Sequence, residues 1–173
     1  MSMLPVMEHP DTVLRQKCET VSEITPEILK LLDDMLETMY DEEGIGLAAP
    51  QINVTKRIFV MDVEQKEGKP GNPLKIINPE IITKSENLTV LDEGCLSLPG
   101  MRVDVARPDE VTLRYMDEKG DTQELHATDL MAKCIQHEID HLNGILIFDY
   151  LSPLKRNMVL RRYSKNQRFA SEG

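Results

Sequence analysis

Apolar residues follow a helical spacing soon after the start of the chain, at Ile28, Leu29, Leu32, Met35, Leu36 and Met39. Thr25 can cap such a helix with its side-chain oxygen. Pro26 suits the first helical position, because the N–H that it lacks would be unpaired there in any case. The pattern therefore predicts a first helix over about residues 26 to 42, ending before Gly44.

The middle of the chain changes to strand-like patterns. The β-branched runs "KRIFVMDV" and "LKIINPEII" flank the Gly/Pro-rich segment "KEGKPGNP", which predicts two strands that can pair across a surface loop. Further on, "EVTLRYMD" alternates apolar and polar residues, and the turn "EKGD" leads into "TQELHAT". These last two segments predict a hairpin.

Helical spacing returns in the last third of the chain. Thr128 can cap a second helix over about residues 129 to 142, and Gly144 follows it in the position that favours a left-handed backbone. Ser152 and Pro153 open a third helix in the same way.

The third helix is expected over about residues 153 to 166. No internal repeat or linker is visible in residues 1–173, so we expect a single α+β domain. In that domain, mainly antiparallel strands would pack around the second helix, with an N-terminal and a C-terminal helix beside them.

Composition narrows the class of protein. The chain of 173 residues is 40% hydrophobic, yet no apolar stretch approaches the roughly 18 residues that span a membrane. The N-terminus has no basic start followed by an apolar run, and the three cysteines are too few and too odd in number for a disulfide scaffold, so we expect a cytoplasmic protein.

Charge is distributed unevenly along the chain. A net charge of -10 argues against general affinity for free nucleic acid. From Leu154 onward, however, the chain is basic, with Lys155, Arg156, Arg161, Arg162, Lys165 and Arg168 against only Glu172. A solvated helix face with a frayed tail is the favoured interpretation, and a docking surface for an anionic partner is the alternative.

The second helix carries "QHEIDHLNG", which contains the H-E-x-x-H pattern of zinc sites. At 100° per residue from Leu130, His137 and His141 fall at about 340° and 20°, on the apolar stripe, and Glu138 falls at about 80°. A carboxylate there needs compensation, which a divalent cation would supply. The alternative is a pair of hydrogen-bonded core histidines. The opposite side of the helix is expected to face solvent, with Lys133, Gln136 and Asp140.

A metal held by two histidines needs at least one further protein ligand. Ile147 stands where one peptidase pattern places a third histidine, and Arg161 and Arg162 stand where another places a glutamate. The ligand is therefore expected upstream, where the candidates besides the acids are His9, His126, Cys18 and Cys95.

Cys95 stands out among these candidates, because it lies in "LDEGCLSLPG", where Gly94 allows a close approach of the backbone. Cys134 lies three residues before His137, and its short side chain would struggle to reach a metal already held by both histidines. We expect Cys134 and Leu130 to form walls of a pocket beside the metal.

Three separated motifs occur in order, namely "GIGLAAPQ" at 44–51, "EGCLS" at 93–97 and "QHEIDHLNG" at 136–144. Together with the opening "HPDTVLR", they make nearly the whole chain resemble the peptide deformylases. The resemblance implies one divalent metal ion, with Fe²⁺ as the native metal and Zn²⁺, Ni²⁺ or Co²⁺ able to substitute. It also implies site roles: metal ligands Cys95, His137 and His141, a metal-bound water as the nucleophile, Glu138 as general acid/base, and oxyanion donors in the Gln51 side chain and the Leu96 N–H.

The resemblance further implies a substrate, the N-terminal formyl-methionine of a new polypeptide, with formate as a product. The peptide backbone would pair with Gly44, Ile45 and Gly46 and with Gly94, while the methionine side chain would fit beside Leu130 and Cys134. The basic C-terminal helix would dock on the ribosome. Three alternatives remain: a metallopeptidase that cuts internal peptide bonds, a structural metal domain, which would leave Glu138 without a role, and a ribosome-binding module that acts through the basic C-terminal helix.

Overall fold

The computed structural model describes residues 3–172, which form three helices and seven strands. The helices are α1 Pro26–Asp41, α2 Asp129–Leu142 and α3 Pro153–Glu172. The strands are β1 Gly46–Ala48, β2 Ile58–Met61, β3 Leu74–Lys84, β4 Leu88–Glu93, β5 Val103–Pro108, β6 Glu110–Met116 and β7 Thr122–Thr128. Short 3₁₀ turns occupy Thr12–Arg15, Ala49–Ile52 and Ile147–Tyr150.

The strands form two antiparallel sheets. The larger has the order β1-β2-β3-β6-β7, and the smaller pairs β4 with β5. The predicted pairing of β2 with β3 and the predicted β6–β7 hairpin are both confirmed. The α+β class is confirmed as well.

The helix ends mostly match their sequence signals. Thr25 Oγ1 accepts a hydrogen bond from the Ile28 N–H at 3.3 Å and caps α1. Helix α2 has the predicted bounds, although the Thr128 side chain makes no capping hydrogen bond. Gly144 has the predicted left-handed backbone, with φ 75°. A side chain there would also collide with Arg15, whose carbonyl oxygen lies 2.5 Å from the position of a Cβ atom.

Helix α3 is longer than predicted, since it continues from Pro153 to Glu172. The sequence between residues 166 and 172 contains no glycine or proline that would end a helix. One side of its middle is buried, because Tyr163 is only 6% exposed and belongs to an apolar cluster with Leu98 and Phe148. The basic side chains of Lys155, Arg161, Arg162, Lys165 and Arg168 are exposed, as expected for a solvated helix face, whereas residues 167–172 are helical and not the expected frayed tail.

Successive side chains along β2 point to opposite faces of the larger sheet, and a separate apolar cluster lies on each face. Phe59 and Met61 pack in one cluster with residues of α2, whereas Ile58 and Val60 pack in another with residues of α1. All four side chains are at most 1% exposed. The two helices therefore cover the two faces of the larger sheet.

The far side of α2 is covered by the β4–β5 sheet, so the prediction that Lys133, Gln136 and Asp140 face solvent is wrong. Lys133 is 4% exposed, and its Nζ donates to the carbonyl oxygen of Arg107 at 2.9 Å. Gln136 Nε2 donates to the carbonyl oxygen of Pro108 at 2.9 Å. Asp140 accepts a hydrogen bond from the Arg107 guanidinium at 2.8 Å. Helix α2 is thus enclosed between two sheets, as the expected central helix.

Among the described residues, no helix is both long enough and apolar enough to cross a lipid bilayer.

Candidate active site

Three potential metal ligands converge where the loop after β4 meets α2. Cys95 Sγ lies 3.2 Å from His141 Nε2, and the Nε2 atoms of His137 and His141 are 3.2 Å apart. All three ligand atoms lie within 4.8 Å of one another, and within residues 3–172 this is the one such group of at least three side chains. The other upstream candidates lie elsewhere: His126 faces Thr112, and His9 contacts Phe148 and Tyr163.

The spacing of these atoms suits a single metal ion. Tetrahedral coordination with metal–sulfur and metal–nitrogen bonds of about 2.3 and 2.05 Å places two nitrogens about 3.3 Å apart, and sulfur and nitrogen about 3.6 Å apart. The observed separations of 3.2 Å come close to both values. One thiolate and two imidazoles are donors that Fe²⁺ and Zn²⁺ both accept.

A buried ion pair supports the first histidine. Glu93 Oε1 lies 2.9 Å from His137 Nδ1, and the same carboxylate accepts hydrogen bonds of 2.7 and 2.9 Å from Arg107. Burial alone would raise the pKa of Glu93, but the hydrogen bonds from His137 and Arg107 hold it below the usual value. A proton kept on Nδ1 by the carboxylate leaves Nε2 free to bind a metal.

Glu138 lies beside this cluster and is only 3% exposed. Removal from water is the main reason that its pKa rises to about 7, because burial disfavours the charged form. Its Oε1 is buried without a hydrogen-bond partner among the described residues. An oxygen in that position is free for a ligand that the protein itself does not provide.

Gly46 makes room for this carboxylate. A Cβ atom at Gly46 would lie 2.5 Å from Glu138 Oε2 and 3.0 Å from Cys134 Sγ. The sequence analysis placed the substrate backbone beside this glycine, and the group of the chain that approaches it in the structure is the Glu138 carboxylate.

The Gln51 side chain lies beside Cys95 and is 1% exposed. Its Oε1 accepts a hydrogen bond from the Ala48 N–H at 2.9 Å. Its Nε2 donates to Ser97 Oγ at 3.1 Å and lies 3.6 Å from Cys95 Sγ. Leu96 follows Cys95 directly, so both predicted oxyanion donors belong to this part of the site.

A groove of about 720 Å³ opens onto these groups. Its walls include all six residues predicted to contact substrate, namely Gly44, Ile45, Gly46, Gly94, Leu130 and Cys134. Gln51, Cys95, Leu96, His137 and Glu138 line it too. His141 lies behind this wall, buried at 2% exposure.

Comparison with known proteins decides the family. Residues 3–157 match the sequence profile of polypeptide deformylase. The chain belongs to the polypeptide deformylase family. It is 51% identical over 169 residues to a peptide deformylase of Rickettsia akari, and the match covers 95% of this chain and 97% of the relative.

Solved deformylase structures share the fold. The crystal structure of a deformylase from Legionella pneumophila has a TM-score of 0.92 and 39% identity, and the match covers 99% of each chain. The deformylase of Ehrlichia chaffeensis in complex with actinonin has a TM-score of 0.88 and 41% identity, covering 97% of this chain and 99% of the other.

Deformylases are metalloenzymes, and this chain is an enzyme that removes N-terminal formyl groups from nascent proteins. The comparisons support deformylation and do not support the metallopeptidase alternative.

Several residues of this deformylase site were not predicted from the sequence. Glu93 stands in the quoted "EGCLS" motif, two residues before Cys95, and that proximity was the available signal for it. Arg107 had no such signal, because it follows Glu93 by 14 residues and only the folded chain brings its guanidinium to that carboxylate. Val6, Glu42 and other residues that line the groove are likewise far apart in sequence.

Proposed function

We propose that Cys95, His137 and His141 hold the metal for deformylation in this chain, and that Glu138 moves the proton. The observation that carries this proposal is the cluster of one sulfur and two imidazole nitrogens, with neighbouring atoms 3.2 Å apart, beside a buried carboxyl group. When bound, one divalent ion, with Fe²⁺ the expected native metal and Zn²⁺, Ni²⁺ or Co²⁺ able to replace it, supplies a Lewis acid that makes water more acidic.

The remaining steps use groups of the chain itself. Gln51 Nε2 and the Leu96 N–H donate hydrogen bonds to the formyl oxygen as it gains negative charge, and loss of one such donor costs about 2.7 to 4 kcal/mol. Glu138 takes a proton from the attacking water through its unpartnered Oε1. It then delivers that proton to the amine nitrogen as the C–N bond breaks. The products are formate and a free N-terminus.

The substrate lies along the groove in this proposal. The methionine side chain of the substrate packs against the wall formed by Leu130 and Cys134. The peptide backbone runs beside residues 44–46 and Gly94. The Ehrlichia structure contains actinonin, and we propose that the same groove of this chain binds that compound.

Metal analysis joined to an assay of formate release tests the proposal. Anaerobically purified parent protein should contain about one metal ion per chain and release formate from formyl-Met peptides. Glu138→Gln should keep the metal and lose activity by about 10²- to 10⁴-fold. Cys95→Ala should lose most of the metal as well as the activity. Full activity of Glu138→Gln, or a full metal content in Cys95→Ala, would remove these assignments.

We also propose that α3 docks this cytoplasmic enzyme on the ribosome. Lys155, Arg161 and Arg162 line a second groove of about 460 Å³ between β5 and α3, and this basic surface suits an anionic partner. Trimming α3 is a poor test, because Tyr163 belongs to the buried core.

A double charge reversal, Arg161→Glu with Arg162→Glu, keeps that core intact. It should weaken co-sedimentation with ribosomes while the turnover of a short formyl-peptide stays near that of the parent. Arg114→Glu, at an exposed cation on β6, serves as the control. Unchanged co-sedimentation of the double variant would refute docking through α3.

A further inference from the structure

We propose that Ser97 is a positioning residue, which fixes the orientation of the Gln51 side-chain amide. The inference deepens the proposed function, since it rests on Gln51 as an oxyanion donor. Ser97 is fully buried, at 0% exposure, and its Oγ accepts a hydrogen bond of 3.1 Å from Gln51 Nε2.

The amide has two possible orientations, and the contacts favour one. Gln51 Oε1 accepts from the Ala48 N–H at 2.9 Å, so a flipped amide would bring its NH₂ group against another donor. In the observed orientation, one of the two Nε2 hydrogens is used by Ser97. The second hydrogen is donated to Cys95 Sγ, 3.6 Å from Nε2, so this orientation aims the amide N–H into the ligand cluster, where the formyl oxygen would lie.

The backbones of both residues are tied to the same N-terminal segment. The Met7 N–H donates to the Gln51 carbonyl oxygen at 2.6 Å, and the His9 N–H donates to that of Ser97 at 2.9 Å. Tyr163 Oη of α3 in turn donates to the carbonyl oxygen of His9 at 3.4 Å. The backbones that carry the Ser97 hydroxyl and the Gln51 amide are therefore both held in place by the N-terminal segment.

A positioning role predicts a specific loss when the hydroxyl is removed. Without Ser97 Oγ, the Gln51 amide keeps its bonds to Ala48 and Cys95 but loses the shorter of the two contacts that fix where its N–H groups point. The donor then spends less time aimed at the developing negative charge, and the ground-state contacts of the substrate are unaffected. The loss should therefore fall on kcat and leave KM unchanged.

The kinetic test is a double-mutant cycle on the metal-loaded enzyme. Ser97→Ala should lower kcat by about 10-fold, less than the loss of the donor itself, at the same KM and metal content as the parent. In a Gln51→Ala background, Ser97→Ala should have no further effect. Independent losses that multiply in the double variant would overturn the proposal, because Ser97 would then act other than through Gln51.

A control separates positioning from a general loss of stability. Thr38→Val removes another fully buried hydroxyl, one that donates to the Asp34 carbonyl oxygen within α1. This variant should be less stable than the parent but retain its kcat. A fall in kcat of Thr38→Val as large as that of Ser97→Ala would overturn the positioning role.

Nuclear magnetic resonance of the zinc-loaded protein gives a readout other than activity. The Gln51 side-chain NH₂ resonances, identified as the pair lost in Gln51→Ala, should be well separated and slow to exchange in the parent. In Ser97→Ala they should converge and exchange faster, and an unchanged pair would overturn the proposal. If the pair changes but Gln51→Ala is fully active, the positioning contact holds and the proposed oxyanion role of Gln51 fails instead.

Discussion

Helices α1 and α2 cover opposite faces of the same sheet, but they bury different chemistry. Helix α1 presents apolar side chains such as Met35, and its buried Thr38 donates to the Asp34 carbonyl oxygen one turn away. Helix α2 buries Glu138 and His141 among apolar residues. The Thr38 hydroxyl also accepts a hydrogen bond from the Leu4 N–H at 2.9 Å, so uncharged backbone groups satisfy it. By contrast, His137 and Asp140 of α2 are paired with charged side chains from a second layer.

The second layer is the main difference between α1, which stabilises the fold, and α2, which holds the candidate site residues. The β4–β5 sheet brings Glu93 to His137, and Arg107 to both Glu93 and Asp140. Buried polar groups without such partners cost several kcal/mol. Residues on α1 should therefore affect stability first, and residues behind α2 should affect the metal site first.

The largest expected effect is on stability, at Met35 of α1. Met35→Ala should lower the free energy of unfolding by about 2 to 5 kcal/mol, because the side chain is fully buried and leaves a cavity. Urea denaturation measures the loss, and metal content per folded molecule should stay at the parent level. Leu29→Ala, at a position that is 36% exposed, should cost much less. Loss of metal from folded Met35→Ala would break the contrast between the helices.

An intermediate effect is expected behind α2, at Glu93. Glu93→Gln removes the charge that holds the proton on His137 Nδ1, so metal affinity should fall about 10- to 100-fold, or about 1.4 to 2.7 kcal/mol. Competition with a chelator measures this change.

The matched control for Glu93 is an ion pair far from the site. Glu124→Gln breaks an exposed ion pair with Arg114, whose side chains are 53% and 48% exposed. It should cost less than about 1 kcal/mol of stability and leave metal affinity unchanged. Equal metal affinity in Glu93→Gln and the parent would show that His137 needs no support from the second layer.

The same contrast explains what could be predicted from sequence. The bounds of α2 and the β6–β7 hairpin depend on local signals, such as Gly144 after the helix and the "EKGD" turn, and both were predicted correctly. The placement of His137 and His141 on one face of α2 was also predictable, because helical periodicity shows which residues of one helix are neighbours.

Contacts between distant segments were not visible in the same way. Strands β4 and β5 pair across the loop that carries Cys95, and neither strand was predicted. Without that sheet, Lys133 looks like a solvent-facing residue, since helical periodicity does not show what covers each side of a helix. The error at Lys133 and the omission of Arg107 therefore have one cause.

The smallest expected effect compares the N-termini of the two helices. Thr25 caps α1 with a hydrogen bond to the Ile28 N–H, whereas the Thr128 side chain makes no capping bond to α2. Thr25→Ala should therefore lower the free energy of unfolding by about 1 kcal/mol, and Thr128→Ala by less. Urea denaturation of both variants under the same conditions measures the difference. A larger loss in Thr128→Ala would mean that α2 depends on its N-cap side chain, and not chiefly on its enclosure between two sheets.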